Sequence, residues 1–212
     1  MDISNKKVYF LGDSITEGAG ASTYANSYVG RFQTKYSQAE ILNYGIGGTR
    51  IARQLSVSVN PGWDYNFIDR AASMKENADL IVVFGGTNDF GHGDAPLGDI
   101  HSKDDKTFYG ALYTLFNNLL IKYPYAKVLV LTPLRRGEET NVRGMQLSEY
   151  VTAVKEMAAY FAFPVLDLYN VSGMNPHVAN VQEKMMPDGL HPNDQGHERL
   201  FELIDAYISN LL

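Results

Sequence analysis

The chain has no cysteine among its 212 residues. That excludes disulfides, a thiol nucleophile and any zinc site built on thiolates, and it fits a reducing compartment. Positive charge is also scarce: 18 Lys and Arg stand against 24 Asp and Glu, for a net charge of −6. A nucleic-acid-binding chain would carry a basic patch and a high pI, so no nucleic-acid partner is expected. No apolar run approaches the ~18 residues of a membrane span. Met1-Asp2-Ile3-Ser4-Asn5-Lys6-Lys7 has no apolar stretch of the signal-peptide kind. The expected location is the cytoplasm, without membrane insertion. Internal repeats, low-complexity tracts and linkers are missing too. A chain of this length that is 45% hydrophobic and 20% charged reads as a single globular domain over 1–212.

What is present is an alternation of short apolar runs with helical patterns. The runs 8–11, 41–44, 80–84, 128–132 and 165–168 are aliphatic-rich and bounded by Gly, Pro, Asn or Asp. Such fully apolar runs separated by helices predict parallel strands covered on both faces. Apolar residues recur at three and four in Phe108, Leu112, Leu115, Phe116, Leu119 and Leu120, and again in Leu147, Val151, Val154, Met157, Ala158 and Phe161. Pro124 and Pro164 follow these two patterns. A third stripe, Leu200, Leu203, Ile204, Tyr207, Ile208 and Leu211, predicts a C-terminal helix with Asn193 as its N-cap. Weaker patterns predict helices over 28–36 and 67–77. The expected fold is α/β, a three-layer α/β/α sandwich around a five-stranded parallel sheet in the order 2-1-3-4-5. Four long loops follow strands: 45–64, 85–104, 133–146 and 169–192. Loops after parallel strands share one edge of the sheet, and long ones there are usually functional.

Four segments fall on that edge or in the last loop. They are Gly12-Asp13-Ser14-Ile15, Asn43 through Thr49 with glycines at 45, 47 and 48, Gly85-Gly86-Thr87-Asn88-Asp89, and Asp188-Gly189-Leu190-His191. A serine nucleophile needs a base, and the base needs an acid to orient it; Ser14, His191 and Asp188 supply the three residue types. The backbone N–H of Ser14, an N–H of the glycine turn and the Asn88 amide supply donors for an oxyanion. Each residue also has a plainer reading. Ser14 alone suits a helix N-cap, the glycines a tight turn or a phosphate cradle, and Asn88 a loop cap. Asp188, His191, Asp194 and His197 lack a familiar ligand spacing, so no metal is expected. His197 lies on the inward stripe and reads as a core histidine, while His92 and His101 read as solvated. Trp63, Tyr65, Phe67 and Phe90 flank these loops and suit either a sugar-stacking or acyl-lining surface or the core. Arg135, Arg136 and Arg143 read as a solvated charged loop or as contacts for an anionic substrate. No lid rich in apolar residues is visible.

In order and over nearly the whole chain, these four segments resemble the blocks of the GDSL or SGNH hydrolase superfamily. Ile15 replaces the usual Leu of the first block and keeps it apolar. The resemblance implies a flavodoxin-like fold and a serine esterase or acylhydrolase that needs no cofactor. It implies Ser14 as nucleophile, Asp188 and His191 as acid and base, and Ser14, Gly48 and Asn88 as the oxyanion hole. The expected substrate is a small-molecule ester, with a short acyl group such as acetyl on a carbohydrate favoured. Trp63, Phe90 and Arg135 are the candidate substrate contacts. An acyltransferase using the same acyl-enzyme, a lysophospholipase or thioesterase, and a silent binding module are the alternatives.

Overall fold

In the computed structural model, five parallel strands run β1 (Lys7–Gly12), β2 (Glu40–Gly45), β3 (Leu80–Phe84), β4 (Lys127–Leu131) and β5 (Val165–Leu166), in the order β2-β1-β3-β4-β5. The structure describes residues 1–211; Leu212 and the side chain of Leu211, a member of the C-terminal stripe, lie outside the described residues. The helices are α1 (Ser14–Glu17), α2 (Tyr28–Lys35), α3 (Phe67–Ser73), α4 (Thr87–His92), α5 (Phe108–Lys122), α6 (Leu147–Tyr160), α7 (Leu168–Val171), α8 (Ala179–Met185) and α9 (Asp194–Leu211). The expected sheet and sandwich are therefore present.

Strand periodicity divides the core. Tyr9, Leu11, Ile81, Val83, Val128 and Val130 face α3, α5 and α6. Val8, Phe10, Leu80, Val82, Leu129 and Leu131 face α2 and α9. Because each central strand is buried on both faces, its sequence is continuously apolar rather than alternating. Three helix starts follow their local chemistry. Ser27 caps α2 through Gly30 N–H at 3.1 Å, Thr107 caps α5 through Gly110 N–H at 3.1 Å, and Asn193 Oδ1 accepts from Gln195 and Gly196 N–H, both at 3.1 Å.

Two predicted elements are shorter than their sequence patterns. β5 ends at Leu166, where α7 soon begins. The helix expected over 67–77 stops at Ser73, because Lys122 Nζ donates to the carbonyls of Ala71, Ala72 and Met74 (3.2, 2.7 and 2.6 Å) and so satisfies the groups a longer helix would have bonded. The loop 169–192 contains α8. Among the described residues, no helix is long and apolar enough to cross a membrane.

The register aligns Gly12 with Gly45 and Phe84, Phe84 with Leu131, and Leu131 with Leu166. The strand ends thus form one edge, and β1 lies between β2 and β3, where the winding reverses. Ligands of open α/β sheets bind at such a switch point.

Candidate active site

Asp13, immediately after β1, caps α1 by accepting from Ile15 N–H at 3.1 Å. The cap is therefore Asp13, which leaves the Ser14 side chain unused by the helix. Ser14 Oγ lies 3.0 Å from His191 Nε2, and His191 Nδ1 lies 2.7 Å from Asp188 Oδ2. An ionised carboxylate only accepts, so Nδ1 carries the imidazole proton and Nε2 is left to accept from the serine hydroxyl. Asp188 Oδ1 also accepts from the N–H groups of Leu190 (2.9 Å) and His191 (2.7 Å). Partial burial works against the Asp188 carboxylate, but these hydrogen bonds, led by the one from the His191 ring, hold it below the usual carboxylate range.

The glycine turn after β2 is clamped. Ile46 N–H donates to Gly12 O at 3.2 Å, Gly47 N–H to Glu17 Oε2 at 2.9 Å and Thr49 N–H to Ile46 O at 3.4 Å. Gly48 N–H has no intramolecular acceptor among the described residues, and Ser14 N–H has none either. Asn88, in the first turn of α4, donates one amide hydrogen to Thr49 O at 3.0 Å and keeps the other. Gly48 sits at φ +74°, and a Cβ there would lie 2.1 Å from Trp63 Nε1. The left-handed backbone and the indole both require glycine at this position.

Residues that the sequence motifs did not single out hold this frame. Arg70 is 2% exposed and donates to Gly12 O at 2.8 Å, to Tyr44 O and to Thr49 Oγ1 at 2.8 Å, joining the ends of β1 and β2 to the glycine turn. Burial lowers its guanidinium to about 10. Its place three residues after Phe67, on the apolar stripe of α3, was the available signal. Asp89 accepts from Ile51 and Ala52 N–H at 3.0 and 2.8 Å. Burial pushes both Asp13 and Asp89 up to about 6, despite the backbone hydrogen bonds that favour their ionised forms.

Several side-chain expectations are corrected. Phe90 is 2% exposed and packs edge-on against Tyr150 at 5.7 Å, so it belongs to the core; Phe67 is likewise buried. Arg135 pairs with Glu139 at 3.2 Å and lies over Tyr169 at 4.0 Å, not over the serine. Arg136 donates to Thr87 O at 3.1 Å, and Arg143 donates to Ala95 O at 3.2 Å and Tyr150 Oη at 2.9 Å. Both arginines staple loops; Arg136 is half-buried, while Arg143 is exposed, as expected of a solvated loop. His92 is exposed, as expected, and its ring also meets that of Trp63 at 4.7 Å, tilted by 40°, and contacts Arg50. Trp63 does border the site, through Gly48. The loop between β2 and α3 turns Leu55, Val57 and Val59 outward, 59%, 83% and 101% exposed, an apolar strip that was not expected.

His197 is fully buried, as its place on the inward stripe implied. Its Nε2 lies 3.0 Å from Ala19 O, and its Nδ1 accepts from Tyr28 N–H at 3.3 Å. Asp194 is engaged with Ser22 and Asn26. Burial holds the His197 imidazole below its ordinary value. An unfolded histidine takes its proton near pH 6.5 and the folded one only at lower pH, so this residue costs stability as the pH falls below about 6.5. Asp13 and Asp89 act in the opposite sense: the folded chain binds their protons near pH 6, before unfolded carboxylates do, which adds stability on acidification. His197→Gln isolates one contribution. Its melting deficit relative to wild type is expected to be larger at about pH 7.5 than at about pH 5.5. An equal deficit at both would refute a buried neutral imidazole.

Comparison with curated proteins returns no match. Among solved structures, a protein from Lactobacillus plantarum is 30% identical, with all of both chains covered and a TM-score of 0.87. A possible lipase from Chitinophaga pinensis is 21% identical over 96% of this chain and 98% of that one, with a TM-score of 0.69. An acetyl xylan esterase is 22% identical over 95% and 99%, with a TM-score of 0.68. A profile of the GDSL-like Lipase/Acylhydrolase family matches residues 10–199. The four sequence blocks, the sheet order and this match across most of the chain agree, and the protein belongs to the GDSL-like lipase/acylhydrolase family.

Proposed function

We propose that the protein hydrolyses short-chain carboxylic esters through an acyl-enzyme on Ser14. The observation that carries this reading is the run of contacts from Ser14 Oγ to His191 Nε2 (3.0 Å) and from His191 Nδ1 to Asp188 (2.7 Å), beside three unengaged donors. His191 Nε2 takes the hydroxyl proton as Oγ bonds to the acyl carbon. The carbonyl oxygen becomes an oxyanion that meets Ser14 N–H, Gly48 N–H and the second Asn88 amide hydrogen. The carbon–oxygen bond to the alcohol then breaks, and the alcohol leaves with the proton from the imidazolium. Water, deprotonated by the same Nε2, releases the carboxylic acid and restores the Ser14 hydroxyl. Asp188 holds the tautomer and stabilises the transient cation. A fluorophosphonate probe is expected to label wild type at Ser14; an unlabelled protein would point to a silent binding module instead.

The exposed Leu55, Val57 and Val59 favour a second reading, in which a longer acyl chain lies along that strip. Comparing kcat/KM on acetyl, butyryl and octanoyl esters of one alcohol separates the two. We expect acetyl to be preferred, and a clear preference for octanoyl would transfer the assignment to the second reading.

A further inference from the structure

The turn that carries Gly48 is fastened at both ends. At one end Ile46 N–H reaches Gly12 O at 3.2 Å. At the other, Thr49 gives its N–H and its hydroxyl to Ile46 O at 3.4 and 2.7 Å, and Arg70 holds the same hydroxyl. Between those ends, the hold on the backbone among the described residues is the bond from Gly47 N–H to Glu17 Oε2 at 2.9 Å. Gly47 supplies the carbonyl half of the peptide whose N–H belongs to Gly48. The plane that aims the Gly48 donor therefore starts at the residue that Glu17 grips.

Glu17 can hold Gly47 because its own backbone is fixed. It is the last residue of α1, and Ser14 is the first. Gly18 and Ala19 N–H close that turn on Ser14 O at 3.0 and 2.8 Å. The end of α1 sits hard against β2: a Cβ on Gly45 would lie 2.2 Å from Glu17 N. Asn43 locks the two together, donating to Thr16 O and accepting from Gly45 N–H, both at 2.7 Å. Residues three apart on a helical turn are neighbours, so Ser14 and Glu17 reach the glycine turn together. A Cβ on Gly47 would lie 2.8 Å from Glu17 Oε2 and 3.6 Å from Ser14 Cβ. Glycine at 47 leaves the room that the carboxylate occupies. The Glu17 side chain is exposed and belongs to neither face of the core.

We infer that Glu17 is a positioning residue: its carboxylate holds Gly47 so that Gly48 N–H keeps the aim an oxyanion beside Ser14 requires. The inference rests on the ester-hydrolase reading above, with Gly48 as one of its donors. A donor stabilises developing charge best when it is already oriented and need not turn at the moment of reaction. A glycine peptide without a tether has many orientations open to it. Here one turn of helix carries the nucleophile at its start and the anchor of the donor at its end.

The test measures kcat and KM on 4-nitrophenyl acetate, and the rate of fluorophosphonate labelling, for wild type, Glu17→Ala, Glu17→Gln and Glu17→Asp. Glu17→Ala is expected to lose about tenfold in kcat with KM nearly unchanged, less than the about 10²–10³ that follows outright removal of an oxyanion donor. Labelling slows in step, because the phosphoryl oxygen of the probe uses the same donors. Glu17→Gln keeps an oxygen acceptor at the same reach and is expected to recover most of kcat. Glu17→Asp keeps the charge but is one methylene short, and is expected to resemble Glu17→Ala. An unchanged kcat in Glu17→Ala overturns the inference, as does a change confined to KM or a loss that Glu17→Gln does not restore. Each of those results leaves the hydrolase standing. Wild type inert on the ester, with Ser14 unlabelled, brings both down. If Glu17→Ala does not fold, Glu17→Gln against Glu17→Asp reads the same contrast.

Discussion

Ser14→Ala is expected to lower turnover of 4-nitrophenyl acetate by about four to six orders of magnitude, the range found when a serine hydrolase loses its nucleophile. The fold should be unaffected. Ser14 is not the cap of α1, since Asp13 fills that role, and among the described residues its side chain bonds only to His191, at 3.0 Å. A thermal melt close to that of wild type, with only the residual activity that the oxyanion donors sustain, is therefore the expected pair of results. The substitution leaves Gly48 N–H and Asn88 in place, so a small residual rate from oxyanion stabilisation is consistent with the mechanism. Wild-type-like turnover in Ser14→Ala would end the assignment of Ser14 as nucleophile.

Asn88→Ala is expected to cost about 10²–10³ in kcat, or ~3–4 kcal/mol of transition-state stabilisation, with KM changed little. In the proposed mechanism the second amide hydrogen of Asn88 meets the carbonyl oxygen where charge develops, so its loss falls on the transition state rather than on substrate binding. The competing view of Asn88 as a loop-holding residue makes a different forecast. Asn88 donates to Thr49 O at 3.0 Å, and removing that bond alone should cost stability of about 1–3 kcal/mol for the buried carbonyl left unpaired. A variant that melts lower but keeps kcat would support the loop role and remove Asn88 from the oxyanion hole. A hundredfold loss of kcat at nearly unchanged KM supports the catalytic one.

The sheet was legible because both faces of its central strands are buried, which leaves unbroken aliphatic runs such as Leu80–Phe84. The long helices were legible because fourteen or fifteen residues repeat a stripe several times, as in α5 and α6. The short helices were not. α1 spans four residues and α4 six, about one turn or two, which is too little for a period to show. Missing α4 had a consequence for the site. On a loop, Asn88, Phe90 and His92 look alike; on a helix, residues two apart point to opposite sides, which puts Asn88 and His92 on one side and Phe90 in the core. Arg70 and Arg50 escaped notice for another reason. Arg70 is held by carbonyls and a hydroxyl, and Arg50 by the Asp64 carboxylate, all from other segments, and no local pattern records those partners. The serine, acid and base were read from four short blocks whose order in the chain matched a family, and the structure brings those three side chains within hydrogen-bond reach of one another.

Asp188 accepts three hydrogen bonds within four residues, two from His191, through its ring and its N–H, and one from the N–H of Leu190. The contact between Asp188 and His191 is therefore local, closed within one turn of chain, and needs no residue from elsewhere in the fold. The local bonds oppose a change in the Asp188–His191 distance, whereas the Ser14–His191 distance, held by the 3.0 Å contact, is set between segments far apart in the chain.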